Sequence, residues 1–128
     1  MSALNYKSVS TVTAFVAFIL FLILLVAPVI IFKLFQVQGN ESAFFISRRA
    51  AMLFLGIATF LWLGRNAIHS ELRQAICVGL SLSMFALATL GIFEFVRDFV
   101  GIGIFAAVST ETIIGFAYYR IWKNNGNA

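Results

Sequence analysis

One carboxylate, Glu111, stands near the middle of GIGIFAAVSTETIIGFAYYRIW (residues 101–122), an apolar stretch of membrane-spanning length. A charge at the centre of a bilayer costs roughly 2.5–3.5 kcal/mol on insertion scales. The other helices must therefore shelter this side chain or bring water to it. Counting inward from the helix ends puts Thr59 and Ser83 at the same depth, and Thr110 and Thr112 flank the acid. Ala107, Val108, Gly115 and Tyr118 share its helix face by three-and-four spacing. Without a nearby cation, desolvation favours an uncharged carboxyl. Such a group is expected to donate to a Thr or Ser hydroxyl or to a free carbonyl. It fits a satisfied helix–helix contact, the handling of a proton or substrate, or an ion pair with a neighbouring Arg or a partner subunit.

A second constellation is Arg48, Arg49 and Glu94, expected at similar depth near one membrane face. Guanidinium groups pair bidentately with carboxylates and phosphates. The set is expected to clamp two helices together or to hold an anionic headgroup or substrate. His69 is the one histidine and Cys77 the one cysteine. No metal site or bis-His haem is expected from them, and Cys77 reads as a small packing residue. The serines lack a basic partner in any nucleophile motif, so no catalytic residue, enzyme activity or cofactor is expected. Gly101-Ile102-Gly103 has no preceding strand and reads as a flexible helix entry, not a phosphate loop.

The elements that position these groups are apolar helices. Hydrophobic residues make up 62% of the 128 positions and charged residues 11%, against about a quarter in soluble domains. The bilayer is the solvent that suits such a chain. Helices are expected over residues 11–35, 48–65, 72–96 and 101–122, as one domain spanning residues 1–128. The first is read as a retained span: its apolar run is too long for a signal peptide, and Pro28 after Ala27 spoils a cleavage site. Pro28 frees the Leu24 carbonyl and is expected to kink that helix. Residues 33–47 (KLFQVQGNESAFFIS) turn at Gly39-Asn40, while Phe44, Phe45 and Ile46 lie at the interface or enter the next helix.

Between Arg49 and Arg65 lie 15 residues, about 22 Å of helix, short of a ~30 Å hydrocarbon core. At least one of these arginines is expected to snorkel outward or pair with an acid. The short connection at residues 66–72 predicts that the helices on either side of it are antiparallel neighbours. Gly79, Ser83, Ala86 and Gly91 are expected to form a close-packing face. Tyr118, Tyr119 and Trp122 read as an interfacial aromatic belt, with Arg120 and Lys123 beside it.

The fold expected is all-α, an integral membrane four-helix bundle with four transmembrane helices in antiparallel up-down order. Lys7, Arg65, Arg73, Arg120 and Lys123 lie on one side, against Lys33, Arg48, Arg49 and Arg97 on the other. Five against four favours cytoplasmic termini. The +4 net charge is dispersed, which argues against nucleic acid.

The stretch SRRAAMLFLGIATFLWLGR (residues 47–65), with paired arginines, Gly56 and a closing arginine, resembles the second helix of uncharacterised bacterial four-helix membrane proteins grouped with the DoxX-like families. Glu111 in a small-residue fourth helix is similar too. The resemblance implies a four-helix bundle in the bacterial inner membrane. Small multidrug transporters place their essential glutamate in the first helix, where this chain has no acid. A bundle this small has little room for a lumen, so its expected partners are the lipid bilayer and either further copies of itself or other membrane subunits. The function expected is that of a non-catalytic accessory or structural subunit, or a lipid-contacting module. The alternative is an oligomeric proton-coupled transporter or channel using Glu111.

Overall fold

The computed structural model describes residues 5–125, which form five α-helices and, among the described residues, no strand. They are α1 (Tyr6–Val26), α2 (Pro28–Phe35), α3 (Glu41–Leu63), α4 (Glu71–Val96) and α5 (Ile104–Asn125). Three of them, α1, α3 and α4, are long and apolar enough to cross a membrane. The fourth long helix, α5, is not among them; Ser109, Thr110, Glu111, Thr112, Arg120 and Lys123 all lie within it.

Three helices start on a side-chain cap, and the caps move the boundaries outward from those expected. The Asn5 Oδ1 accepts the Ser8 N–H at 2.8 Å, so α1 begins at Tyr6 and not near residue 11. Asn40 does the same for the Ala43 N–H at 2.8 Å, and α3 begins at Glu41, not at residue 48. Phe44, Phe45 and Ile46 are thus helical, which gives α3 a full 23 residues. Ser70 caps α4 by accepting the Arg73 N–H. Each side-chain oxygen replaces a partner that the first helical turn lacks.

At Pro28 the first helix is broken, where a kink was expected. Ala27 leaves the helical region at φ −144° and ψ 65°, since a residue before proline is disfavoured there, and Pro28 opens α2 at a position that needs no N–H. Two further ends lie at the same side of the molecule. The Val37 N–H reaches the Phe32 carbonyl and Gln36 stands at φ 57°; the Phe99 N–H reaches the Glu94 carbonyl and Asp98 stands at φ 61°. Both are left-handed helix terminations built without glycine.

The helices pack in the order α3, α1, α5, α4. The main pairings are α1 with α3 and α4 with α5, and α1 also meets α5. Each pairing is antiparallel. Phe15 meets Trp62 and Phe32 meets Phe44 across α1–α2 and α3; Tyr6 meets Tyr118 across α1 and α5. The helices α3 and α4, expected as close neighbours because their connection is short, are not a main pairing. They meet through Leu61, Cys77 and Leu80 in the shared core around Tyr6 and Tyr118. The buried face of α4 is Cys77, Leu80, Ser81, Ala88 and Gly91. Gly79, Ser83 and Ala86 face outward, so only Gly91 of the expected small-residue face is packed.

At the far end, the Gly101 N–H donates to the Phe35 carbonyl at 2.8 Å, and Gly103 lies directly against the Leu34 carbonyl. A methyl group at Gly103 would collide with backbone there, whereas one at Gly79 meets nothing within 4 Å. Gly103→Ala is therefore expected to destabilise the fold by about 1–3 kcal/mol, the usual cost of overpacking. Gly79→Ala should be neutral or stabilising by up to about 1 kcal/mol through helix propensity. Unfolding titrations in mixed micelles would measure both; equal effects would contradict this packing.

Candidate functional site

Glu111 lies on α5, half-buried, with Val108, Gly115 and Tyr118 of its face buried as the three-and-four spacing predicts. The hydroxyls expected around it are engaged elsewhere. Thr110 donates to the Ala106 carbonyl at 3.0 Å and Thr112 to the Val108 carbonyl at 2.7 Å. Thr59 donates to the Leu55 carbonyl at 2.8 Å. It lines an apolar groove of about 320 Å³ between α1 and α3 with Phe15, Ala58 and Trp62. All six threonines of the chain bond the carbonyl four residues back. A hydroxyl that faces lipid has no better acceptor than its own helix. Ser83 is exposed on α4. Among the described residues, no hydrogen bond joins Thr59, Ser83, Thr110 or Thr112 to Glu111 or to one another.

Arg48 and Arg49 are exposed within α3, and neither forms an ion pair among the described residues. Glu94 instead holds Arg97, three residues on in sequence, with Nε 2.7 Å from Oε2. The Arg97 guanidinium also lies over the rings of Phe93 and Phe99. Arg65 folds back over the Trp62 ring, its guanidinium carbon 3.9 Å from the centroid, and donates to the Trp62 carbonyl at the end of α3. A cation there complements the negative end of the helix. His69 is exposed in the connection between α3 and α4.

The polar groups that converge are at the other end of the bundle, where α1 and α4 begin and α5 finishes. The Ser10 hydroxyl lies 3.1 Å from the Tyr118 hydroxyl, joining α1 to α5 across a fully buried contact. The Tyr6 and Tyr118 rings meet edge to face at 6.5 Å. Thr13 is buried beside them and donates to the Val9 carbonyl. From α4, Cys77 packs into the same core, and the Arg73 guanidinium lies 4.7 Å from the Tyr6 ring centroid. Arg73 donates to the Ala67 carbonyl at 2.9 Å, and the Gln74 amide donates to the Trp122 carbonyl at 3.1 Å. Among the described residues, three buried polar atoms here have no partner: the Tyr6 hydroxyl, Arg73 Nε and Gln74 Oε1.

This cluster escaped sequence reasoning for identifiable reasons. The first helix was expected to begin only at residue 11, although Tyr6, Ser10, Thr13, Ala14 and Ala17 repeat at helical spacing and are the buried face of α1. That spacing was the available signal. Tyr118 read as part of an aromatic belt, yet it is fully buried, while Tyr119 and Trp122 are exposed. Neighbouring aromatic residues on a helix point in different directions, and only packing distinguishes the inward one.

Ser10→Ala is expected to cost about 1 kcal/mol or more, because it leaves a buried hydroxyl on Tyr118 without its partner. The double variant with Tyr118→Phe should recover part of this, with a coupling of about 0.6 kcal/mol and at most about 1.7, the range for interhelical bonds in membranes. Strictly additive effects in unfolding titrations would show that the contact carries no energy. Compared with known proteins, the chain matches no family model, no curated protein and no solved structure.

Proposed function

We propose that the chain is a four-span integral membrane protein, resembling the DoxX-like four-helix proteins, that acts as a non-catalytic accessory or structural subunit or a lipid-contacting module. In this reading α1 and α2 together form one broken span, and α5 is the fourth. The start of α1 and the end of α5 lie on the cytoplasmic face of a bacterial inner membrane. The observation that carries the reading is where the polar side chains spend their hydrogen bonds. The threonines are turned onto their own helices, and Ser10 with Tyr118 ties α1 to α5. That is the use expected of polar residues that set helix packing.

The least apolar long helix supports the four-span order, because α5 is also the one placed between α1 and α4. Large apolar side chains such as Leu53, Leu63, Leu82 and Ile113 remain exposed on the outside. They suit lipid, further copies of the chain or other membrane subunits.

One observation favours a second reading. Glu111 is half-buried and has no hydrogen-bond partner among the described residues, so its carboxyl is available to bind and release a proton. An oligomer with Glu111 facing a shared path would then be a small proton-coupled transporter or channel.

Native mass spectrometry of the particle extracted in mild detergent separates the two. The subunit reading expects other proteins at fixed stoichiometry and no proton flux above that of empty liposomes. A homo-oligomer whose pH-driven flux is abolished by Glu111→Gln would replace it with the second reading.

A further inference from the structure

We propose that Arg73, Tyr6 and Gln74 form a binding site for an oxyanion that also carries a hydrogen-bond donor, at the end of the bundle where α1 and α4 begin. Arg73 is half-buried, and no carboxylate pairs with it among the described residues, where the one ion pair is Glu94–Arg97. A desolvated cation without a counter-ion is unfavourable unless an anion completes it. Its place in the chain sharpens this. Arg73 lies in the first turn of α4, where the helix dipole presents positive potential and Glu71, which forms no ion pair with Arg73, is the acid that offsets part of it. A cation there adds to that potential, and an anion relieves both.

The guanidinium is held in a defined orientation. It stacks on the Tyr6 ring and donates one terminal N–H to the Ala67 carbonyl, which leaves Nε buried and unmatched. The Tyr6 hydroxyl, on a residue only 2% exposed, is a second donor at the same end of the same cluster without a partner of hydrogen-bond geometry among the described residues. Two donors, one of them on a planar cation, are the recognition set of phosphate and carboxylate oxygens. Gln74 adds the third feature. Its amide nitrogen is fixed on the Trp122 carbonyl, so its Oε1 is an acceptor that an oxyanion alone would repel. A ligand with a hydroxyl or ammonium group beside its acidic oxygens matches all three. A glycerol- or ethanolamine-bearing lipid phosphodiester has that chemistry, and so does protonated inorganic phosphate.

An independent observation points to the same ligand class. This end of the molecule carries Lys7, Arg65, Arg73, Arg120 and Lys123 with Glu71 as its one acid, whereas the opposite end sets Glu41, Glu94 and Asp98 against its four cations. The excess positive charge is thus gathered at one face, the arrangement that concentrates anionic lipid.

The site rests on the membrane reading, and the experiment keeps the two apart. The full chain in mild detergent is titrated with phosphatidylglycerol, phosphatidylcholine or millimolar inorganic phosphate, and retained adducts are counted by native mass spectrometry. Insertion is scored separately by flotation with liposomes. The wild type is expected to retain phosphatidylglycerol in preference to phosphatidylcholine. Arg73→Gln should weaken that retention by about tenfold or more, as loss of a charge-assisted contact implies. Arg120→Gln, which removes an exposed cation of the same end, should change it by less than about twofold if the effect is local and not diffuse.

Competition by phosphate would identify the free anion as a ligand of the site, and its absence would assign the site to the headgroup; both support it. Unreactive Cys77 towards a maleimide reports that a variant is folded. Should Arg73→Gln expose that thiol, Arg73→Lys and Tyr6→Phe carry the test, each expected to reduce the preference for phosphatidylglycerol. Equal losses in the Arg73 and Arg120 variants, or an inserted wild type that retains neither probe, would overturn the site and leave the membrane reading intact. A chain that fails to float with liposomes would overturn both.

Discussion

Lipid offers no hydrogen bonds, so every polar atom in a membrane helix must find its partner within the protein. Much of this structure follows from that constraint. It explains why Thr59, Thr89 and Thr110, all exposed, donate to the carbonyl one turn back. It also explains why the ends of the helices are capped so fully. Asn5, Asn40 and Ser70 close three starts, and the left-handed residues Gln36 and Asp98 close two ends. Each device meets the backbone's unpaired groups at a helix end, a side-chain oxygen accepting an N–H at a start and a following N–H donating to a carbonyl at an end.

The same constraint arranges the helices. With Glu111, Ser109 and two threonines near its middle, α5 is the long helix least suited to lipid, and it is packed by α1 on one side and α4 on another. The buried face of α1 is Tyr6, Ser10, Thr13, Ala14 and Ala17, mostly small or hydroxylated residues that let neighbouring helices approach. Among the described residues, the hydroxyl pair of Ser10 and Tyr118 joins α1 to α5. Glycines perform the matching task at the opposite end, where Gly101 and Gly103 bring the entry of α5 onto the last carbonyls of α2.

The two ends differ in their electrostatics. At one, Glu94 neutralises Arg97 within a single turn, and acids nearly balance cations. At the other, cations outnumber acids, and one of them, Arg73, is drawn into the polar core against Tyr6. Packing an arginine on an aromatic ring offsets part of its desolvation but leaves its directional donors to be matched. Among the described residues, the Tyr6 hydroxyl, Arg73 Nε and Gln74 Oε1 are the buried side-chain polar atoms left without a partner.

The sequence by itself determined the membrane-spanning character of the helices, and it set an expected depth for each residue. Apolar length identifies α1, α3 and α4 as membrane-spanning in character, and rise per residue sets which groups lie at the centre and which at the faces. It also marked Gly39-Asn40 as a turn, though not that Asn40 begins a helix seven residues before the expected start. Depth is one coordinate of three. Which way a side chain points around its helix, and which helix it meets, was decided only by the tertiary structure. In water an apolar stripe tells the inside from the outside, but in lipid both are apolar and the stripe fades. That is why Thr59 and Ser83, expected at the depth of Glu111, form no hydrogen bond with it among the described residues. It is also why Tyr6, Ser10, Arg73 and Tyr118, spread over three helices, became neighbours only once α1 was laid between α3 and α5.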